Sequence, residues 1–99
     1  MPHSVNVYAS VYAQTISSTS VSMQDLGFTD AELGRAKVAH VTVESNAIRY
    51  RYDGVKPLAA EGHPLAADGE RLFSNTANIK DLNWIAQGSD ATINISLSA

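Results

Sequence analysis

Between Val38 and Tyr52 the chain alternates apolar and polar residues with period two, broken only at Ser45-Asn46. Ala39, Val41, Val43, Ile48, Tyr50 and Tyr52 fall in one set, and His40, Thr42, Arg49 and Arg51 in the other. Successive side chains of a strand point to opposite faces, so this pattern demands two strands with one face buried. With Ser45-Asn46 as a two-residue turn, a hairpin follows in which Val43 meets Ile48, Val41 meets Tyr50 and Ala39 meets Tyr52. Its other face pairs Thr42 with Arg49 and His40 with Arg51. A slip of one residue would turn the apolar set outward, so the alternation ties each residue to a face.

The same reasoning places two further hairpins. Asp68-Gly69 sets Leu65 opposite Leu72 and Ala66 opposite Arg71. The connection Gln87-Gly88-Ser89-Asp90 sets Trp84 opposite Ile93 and Leu82 opposite Ile95, with Asn83 facing Asn94 and Asp81 facing Ser96. Asp53-Gly54 ends the strand that begins at Ile48, and Pro57, Gly62 and Pro64 punctuate the loop beyond it. Residues 15–23 are rich in Ser and Thr and read as a weak, edge-like strand. One helix is expected within residues 24–37. Thr29 and Glu32 have capping-box spacing, Asp30 and Glu32 suit the positive end, and Arg35 and Lys37 suit the negative one. Leu26, Phe28 and Leu33 would fold that helix over one end of a sheet.

Val (8), Ile (6) and Thr (6) make 20 β-branched residues in 99, which leans the chain toward sheet. The expected fold is therefore all-β, with about eight strands in an antiparallel β-sandwich or jelly-roll-like arrangement and one short helix. Residues 15–99 form its single domain. Residues 1–14 are set apart as an N-terminal strand or arm, because both parities there are apolar. Val5, Val7 and Val11 occupy one parity, and Tyr8 and Tyr12 the other. Such a strand either covers a core or pairs with another subunit, and these five residues are the expected protein interface.

Charge and composition narrow the chemistry. The net charge is −3 with no basic run, so no electrostatic footprint for nucleic acid is expected. No apolar run approaches the ~20 residues of a membrane span, and no export signal is evident. Without cysteine there is no disulfide, thiolate nucleophile or Cys-based zinc site. His3, His40 and His63 lack the short spacing of a metal pair. His40, Arg51, Thr42, Arg49 and Glu44 would share one polar face, where a solvated mixed-charge surface outweighs an anion site. Of the carboxylates, Glu44 and Asp81 are the ones expected on strands, a poor match to the paired carboxyls of a glycosidase. Trp84 alternates with Leu82 as a core residue does. No catalytic residue, metal site or cofactor is expected.

One stretch carries a resemblance. Ile48-Arg49-Tyr50-Arg51-Tyr52-Asp53-Gly54, then Pro57, then Gly62-His63, resembles a group of small tailed-bacteriophage virion proteins. Ala77 through Ile85 and Asp90-Ala91-Thr92-Ile93 resemble that group too, as does Leu26-Gly27-Phe28-Thr29 to Lys37. There an (I/V)RYR-x-DG strand and turn precedes a Pro-containing loop, a Gly-His turn and an I-x-x-F/W-I strand. The likeness covers roughly residues 26–97 and leaves the first 25 outside it. It implies a non-enzymatic β-sandwich component of the virion, assembled in the bacterial host cytoplasm. The first such role is a capsid decoration (cement) protein that bridges subunits of the major capsid protein as a homo-oligomer, a trimer by preference. A neck, tail or fibre-base protein is the second. A carbohydrate-binding module is the alternative of another class, which would need Trp84, Tyr50 or Tyr52 exposed in a shallow groove. An enzyme would need His40 or His63 joined to a buried carboxylate in a deep pocket.

Overall fold

The computed structural model describes residues 7–99. Its elements are β1 (Val7–Ile16), β2 (Val21–Ser22), α1 (Asp30–Arg35), β3 (Val38–Ser45), β4 (Ile48–Arg51), β5 (His63–Leu65), β6 (Glu70–Phe73), α2 (Thr76–Lys80), β7 (Asn83–Ala86) and β8 (Ala91–Ser98). Two four-stranded antiparallel sheets, ordered β1-β8-β3-β6 and β2-β7-β4-β5, pack face to face as a sandwich. This interleaved order is that of an eight-stranded jelly roll. The connection from β4 to β5 stays within one sheet, and every other connection crosses to the opposite one.

That topology corrects all three expected hairpins. β3 pairs with β6 and β8, whereas β4 pairs with β5 and β7, so Ser45-Asn46 carries the chain from one sheet to the other. Val41 lies beside Ile95, and Tyr50 beside Trp84. Asp68-Gly69 likewise joins β5 to β6 across the sandwich, and residues 87–90 join β7 to β8. The turns themselves are present. Asn46 and Asp68 both adopt positive φ, and Gly69 donates to the Ala66 carbonyl at 2.9 Å. A Cβ at Gly69 would stand 2.8 Å from that carbonyl, so the turn needs glycine.

The facing of the side chains is as the alternation requires through Tyr50, whereas Tyr52, beyond the end of β4, is 37% exposed and Leu72 turns outward beside His40. Ala39, Val41, Val43, Ile48, Tyr50, Leu82, Trp84, Ile93 and Ile95 are all buried in one cluster. An alternating strand fixes which side chains face the interior, and a hairpin and a sheet-to-sheet arch bury the same set. Only the hydrogen-bonded neighbour differs. Trp84 is fully buried, its ring 5.8 Å from Tyr50 and 6.1 Å from Phe73. Its indole N–H meets no acceptor, so its contribution comes from packing.

α1 carries the expected capping box. The Glu32 N–H donates to Thr29 Oγ1 at 3.1 Å, and the Thr29 N–H to Glu32 Oε1 at 2.9 Å. Leu33 and Phe28 are buried beneath it. α2 is a second helix that the sequence reading did not include. Asn75 caps it by accepting from the Asn78 N–H at 3.2 Å, and Ile79 is its buried anchor. The Thr76 hydroxyl donates to the Ala36 carbonyl at 2.6 Å, which ties α2 to the end of α1. β1 is integral to its sheet, pairing with β8 from Val7 to Ile16, so the boundary expected after residue 14 falls inside a strand.

Replacing Trp84 with Ala should cost roughly 3–5 kcal/mol, a large share of a small domain's stability. Chemical unfolding measures this, and a loss below about 1 kcal/mol would contradict the packing described.

Candidate functional site

The outer face of the first sheet is built from the residues that β1, β8, β3 and β6 turn away from the core. Its centre is small and polar. The Ser10 hydroxyl donates to Ser96 Oγ at 3.2 Å, and Asn94 Nδ2 donates to Thr42 Oγ1 at 3.2 Å. Asn94 Oδ1 also accepts from the Ala13 N–H at 2.8 Å, at a place where β1 bulges and Ala13 adopts positive φ. Apolar groups stand around this centre. Val7, Tyr12 and Leu72 are 56%, 64% and 63% exposed. Of the chain's 10 acidic and 7 basic residues, this face carries Glu70 and, at the bulged end of β3, Glu44. Among the described residues it carries no lysine or arginine. At one end it dips into a depression of about 540 Å³ lined by Val7, Val38, His40, Leu72, Ser96 and Ser98.

The structure divides the five expected interface residues. Val5 lies outside the described residues. Val7 and Tyr12 reach the outer face, where hydrogen bonds with Ser10, and then Ser96, hold the Tyr12 phenol below its usual pKa. Tyr8 and Val11 instead pack against the core of their own chain. The Tyr8 hydroxyl donates to the Glu32 carbonyl and Arg35 lies 4.2 Å from its ring centre, so Tyr8 fastens β1 to α1. Desolvation pushes its pKa up, partly offset by Arg35. The shift in partners between Val7 and Ala9, and again between Val11 and Gln14, explains the two apolar parities. Each bulge re-aims the residues that follow, so strict alternation does not hold along β1.

The outer face of the second sheet is covered by the chain itself. Residues 52–62 form a strap across it, held by the two arginines that alternate with Ile48 and Tyr50. Arg49 Nε donates to the Ala59 carbonyl at 3.0 Å and Nη1 to the Gly62 carbonyl at 2.9 Å. Arg51 bonds both carboxylate oxygens of Asp53, its Nε at 3.1 Å from Oδ1, and its Nη1 reaches Glu61 at 3.2 Å. Pro57 is fully buried, and Ile85, the partner of Arg49 in β7, is buried with 5% of its surface exposed. Gly62 has φ +139°, and a Cβ there would sit 3.1 Å from the Tyr50 carbonyl, so the strap's return requires glycine.

This geometry corrects the polar cluster expected from the sequence. His40 lies on the outer face of the first sheet and Arg49 and Arg51 on that of the second, because β3 and β4 are not neighbours. His40 instead pairs with Glu70 at 2.8 Å, both side chains well exposed. His63 stacks on Tyr52 with ring centres 5.5 Å apart and planes at 16°. Tyr52, 37% exposed, lines two shallow clefts, one with Arg51, Asp53, Gly62 and His63 and one running from Arg71 to Asn78. Asp81 ends α2 and is on no strand. Among the described residues no three His, Asp or Glu side chains converge as a metal site would need, and no helix is long and apolar enough to cross a membrane. No family model matches the chain, and neither the curated proteins nor the solved structures contain a match.

The strap has a pH signature. The hydrogen bond from Arg51, helped by the Val55 N–H, lowers the Asp53 pKa to about 2. A carboxyl with a lowered folded-state pKa keeps its contribution above its unfolded value and loses it as the pH falls through the folded one. The latch should therefore hold down to about pH 4 and open between there and about 2. The Val55 amide shift, followed by NMR, should titrate with a midpoint near that lower value. A midpoint near 4 would mean that Arg51 does not hold the carboxylate.

Proposed function

We propose that this chain is a non-enzymatic structural protein of a tailed-bacteriophage virion, a decoration (cement) protein that stabilises the head by bridging capsid subunits. The observation that carries the reading is the outer face of the first sheet. Interface cores are depleted in charge and enriched in aromatic groups, and this face has two carboxylates, no described cation, and Tyr12 standing open upon it. The resemblance of residues 26–97 to small virion proteins supplies the particle, and jelly rolls recur among capsid proteins, which is an analogy of fold. Neither described histidine is set against a buried carboxylate, which favours binding over catalysis.

The experiment is co-sedimentation of the purified chain with phage heads stripped of their decoration. The wild-type protein should saturate at a fixed ratio to the capsid subunits. Tyr12→Arg, at a largely exposed side chain, should leave the unfolding curve unchanged and weaken binding by about tenfold. Binding unaffected by that change, or absent from the wild type, would remove the proposal.

Tyr52 favours a second reading, a carbohydrate-binding module, because it presents a ring between two shallow clefts. NMR titration with neutral and acidic oligosaccharides decides it. Shifts confined to Tyr52, His63 and Arg71 would support it, and unmoved resonances would dispose of it.

A further inference from the structure

We propose that copies of this chain join head to tail, the strap tip of one copy seating Val55 and Leu58 in the apolar depression on the first sheet of the next. The inference deepens the assembly reading by naming a second copy of the chain as the occupant of that depression.

Large apolar side chains remain exposed in two separate places. Val7, Tyr12 and Leu72 lie on the outer face of the first sheet, while Val55 and Leu58, 48% and 60% exposed, lie on the strap that covers the second. Tyr52 sits at the rim. The strap tip is a braced projection. Leu58 and Glu61 exchange backbone hydrogen bonds at 3.0 and 2.9 Å, Arg49 holds the carbonyls of Ala59 and Gly62, and Asp53 accepts from the Val55 N–H. Pro57 between them is buried. Bracing a loop while leaving its two largest aliphatic side chains in water is costly unless another surface covers them. It also lowers the entropy lost when that happens.

The two patches lie on different sheets and cannot meet within one molecule. One is a projection and the other a concavity, on opposite layers of the sandwich. Charge agrees with the match. Lys56 stands exposed between Val55 and Leu58 in the chain, while the depression is bordered by Glu70, which His40 of its lining meets at 2.8 Å and whose side chain stays 70% exposed. Two depressions set face to face would bring the Glu70 side chains of both copies to one seam and leave two hollows unfilled. A contact between unlike patches leaves one of each kind open at every step, so it propagates until a ring closes.

The test follows from that asymmetry and uses the full chain. Leu58→Glu removes the projection and keeps the depression, and Leu72→Glu does the reverse. Both positions are exposed, so each variant should keep the wild-type circular-dichroism melt. By sedimentation velocity the wild type should form a closed oligomer and each variant should be monomeric. An equimolar mixture of the two variants should give a dimer and nothing larger, because one intact projection then meets one intact depression. Lys56→Glu should weaken assembly by about tenfold, and adding Glu70→Lys should restore it.

A monomeric wild type, an oligomer that survives Leu58→Glu, or a mixture that stays monomeric would each overturn the proposal. An oligomer lost only with Leu72→Glu would overturn it too, since another segment would then fill the depression. Stripped heads separate this inference from the reading beneath it. Binding to heads without self-association removes the head-to-tail contact alone. Self-association without binding to heads removes the capsid role alone.

Discussion

Eight short strands here share one interior, and most of the structure follows from the need to reach it. A chain of 99 residues can build a single core, with sheets packed about 10 Å apart. Successive strands contribute to it from alternate sides, so nearly every turn must cross the gap. The rings of Trp84, Tyr50 and Phe73 fill the middle of that gap, with Tyr50 and Trp84 from one sheet and Phe73 from the other. Leu33 of α1 and Ile79 of α2 join the same cluster, and the Thr76–Ala36 hydrogen bond links the two helices. The interior is therefore one contact network, which makes the loss of a single large ring expensive.

What could be read from the residues depended on how local its cause is. The capping box is a contact between residues three apart, and it forms as its spacing implies. The inward set of each strand is fixed by parity, and Val41, Tyr50, Leu82, Trp84, Ile93 and Ile95 are buried accordingly. Strand pairing is a different kind of fact. Val43 and Ile48 serve a core equally well as neighbours in a hairpin or as opposite walls of a sandwich, and nothing within residues 38–52 separates the two. β1 adds a second lesson, because its bulges break strict alternation between Val7 and Gln14. α2 was missed for a simpler reason: five residues capped by Asn75 carry too little periodicity to stand out.

The Arg-Tyr-Arg alternation shows why outward residues are harder to interpret than inward ones. Tyr50 faces the core by the parity of β4, and desolvation there raises its pKa. Arg49 and Arg51 point outward by the same parity, but their partners belong to an irregular loop up to 13 residues away. A pattern of period two says nothing about such partners. Arginine suits the task because its planar donors can meet two carbonyls, or two carboxylates, at once. The loop can then cross the sheet without a hydrophobic layer of its own, with Pro57, Ile85 and the Asn83 side chain buried there.

A sandwich with one core still has two outer faces, and this chain treats them in opposite ways. The second sheet is roofed by its own strap. The first is bare, but its polar groups are largely paired with one another. Ser10 bonds Ser96, and Asn94 bonds Thr42 and the Ala13 amide. Groups already satisfied within the protein lose little when water is removed from above them, whereas an unpaired donor or acceptor would lose about 1–3 kcal/mol. Small hydroxyl side chains also hold little rotamer entropy, so covering them orders less than covering lysine or glutamate would. The face can thus stay wet in the free molecule and still be cheap to dehydrate. That combination suits a surface built to meet another protein, and it explains how the chain can leave Val7 and Leu72 exposed without burying them in a second core of its own.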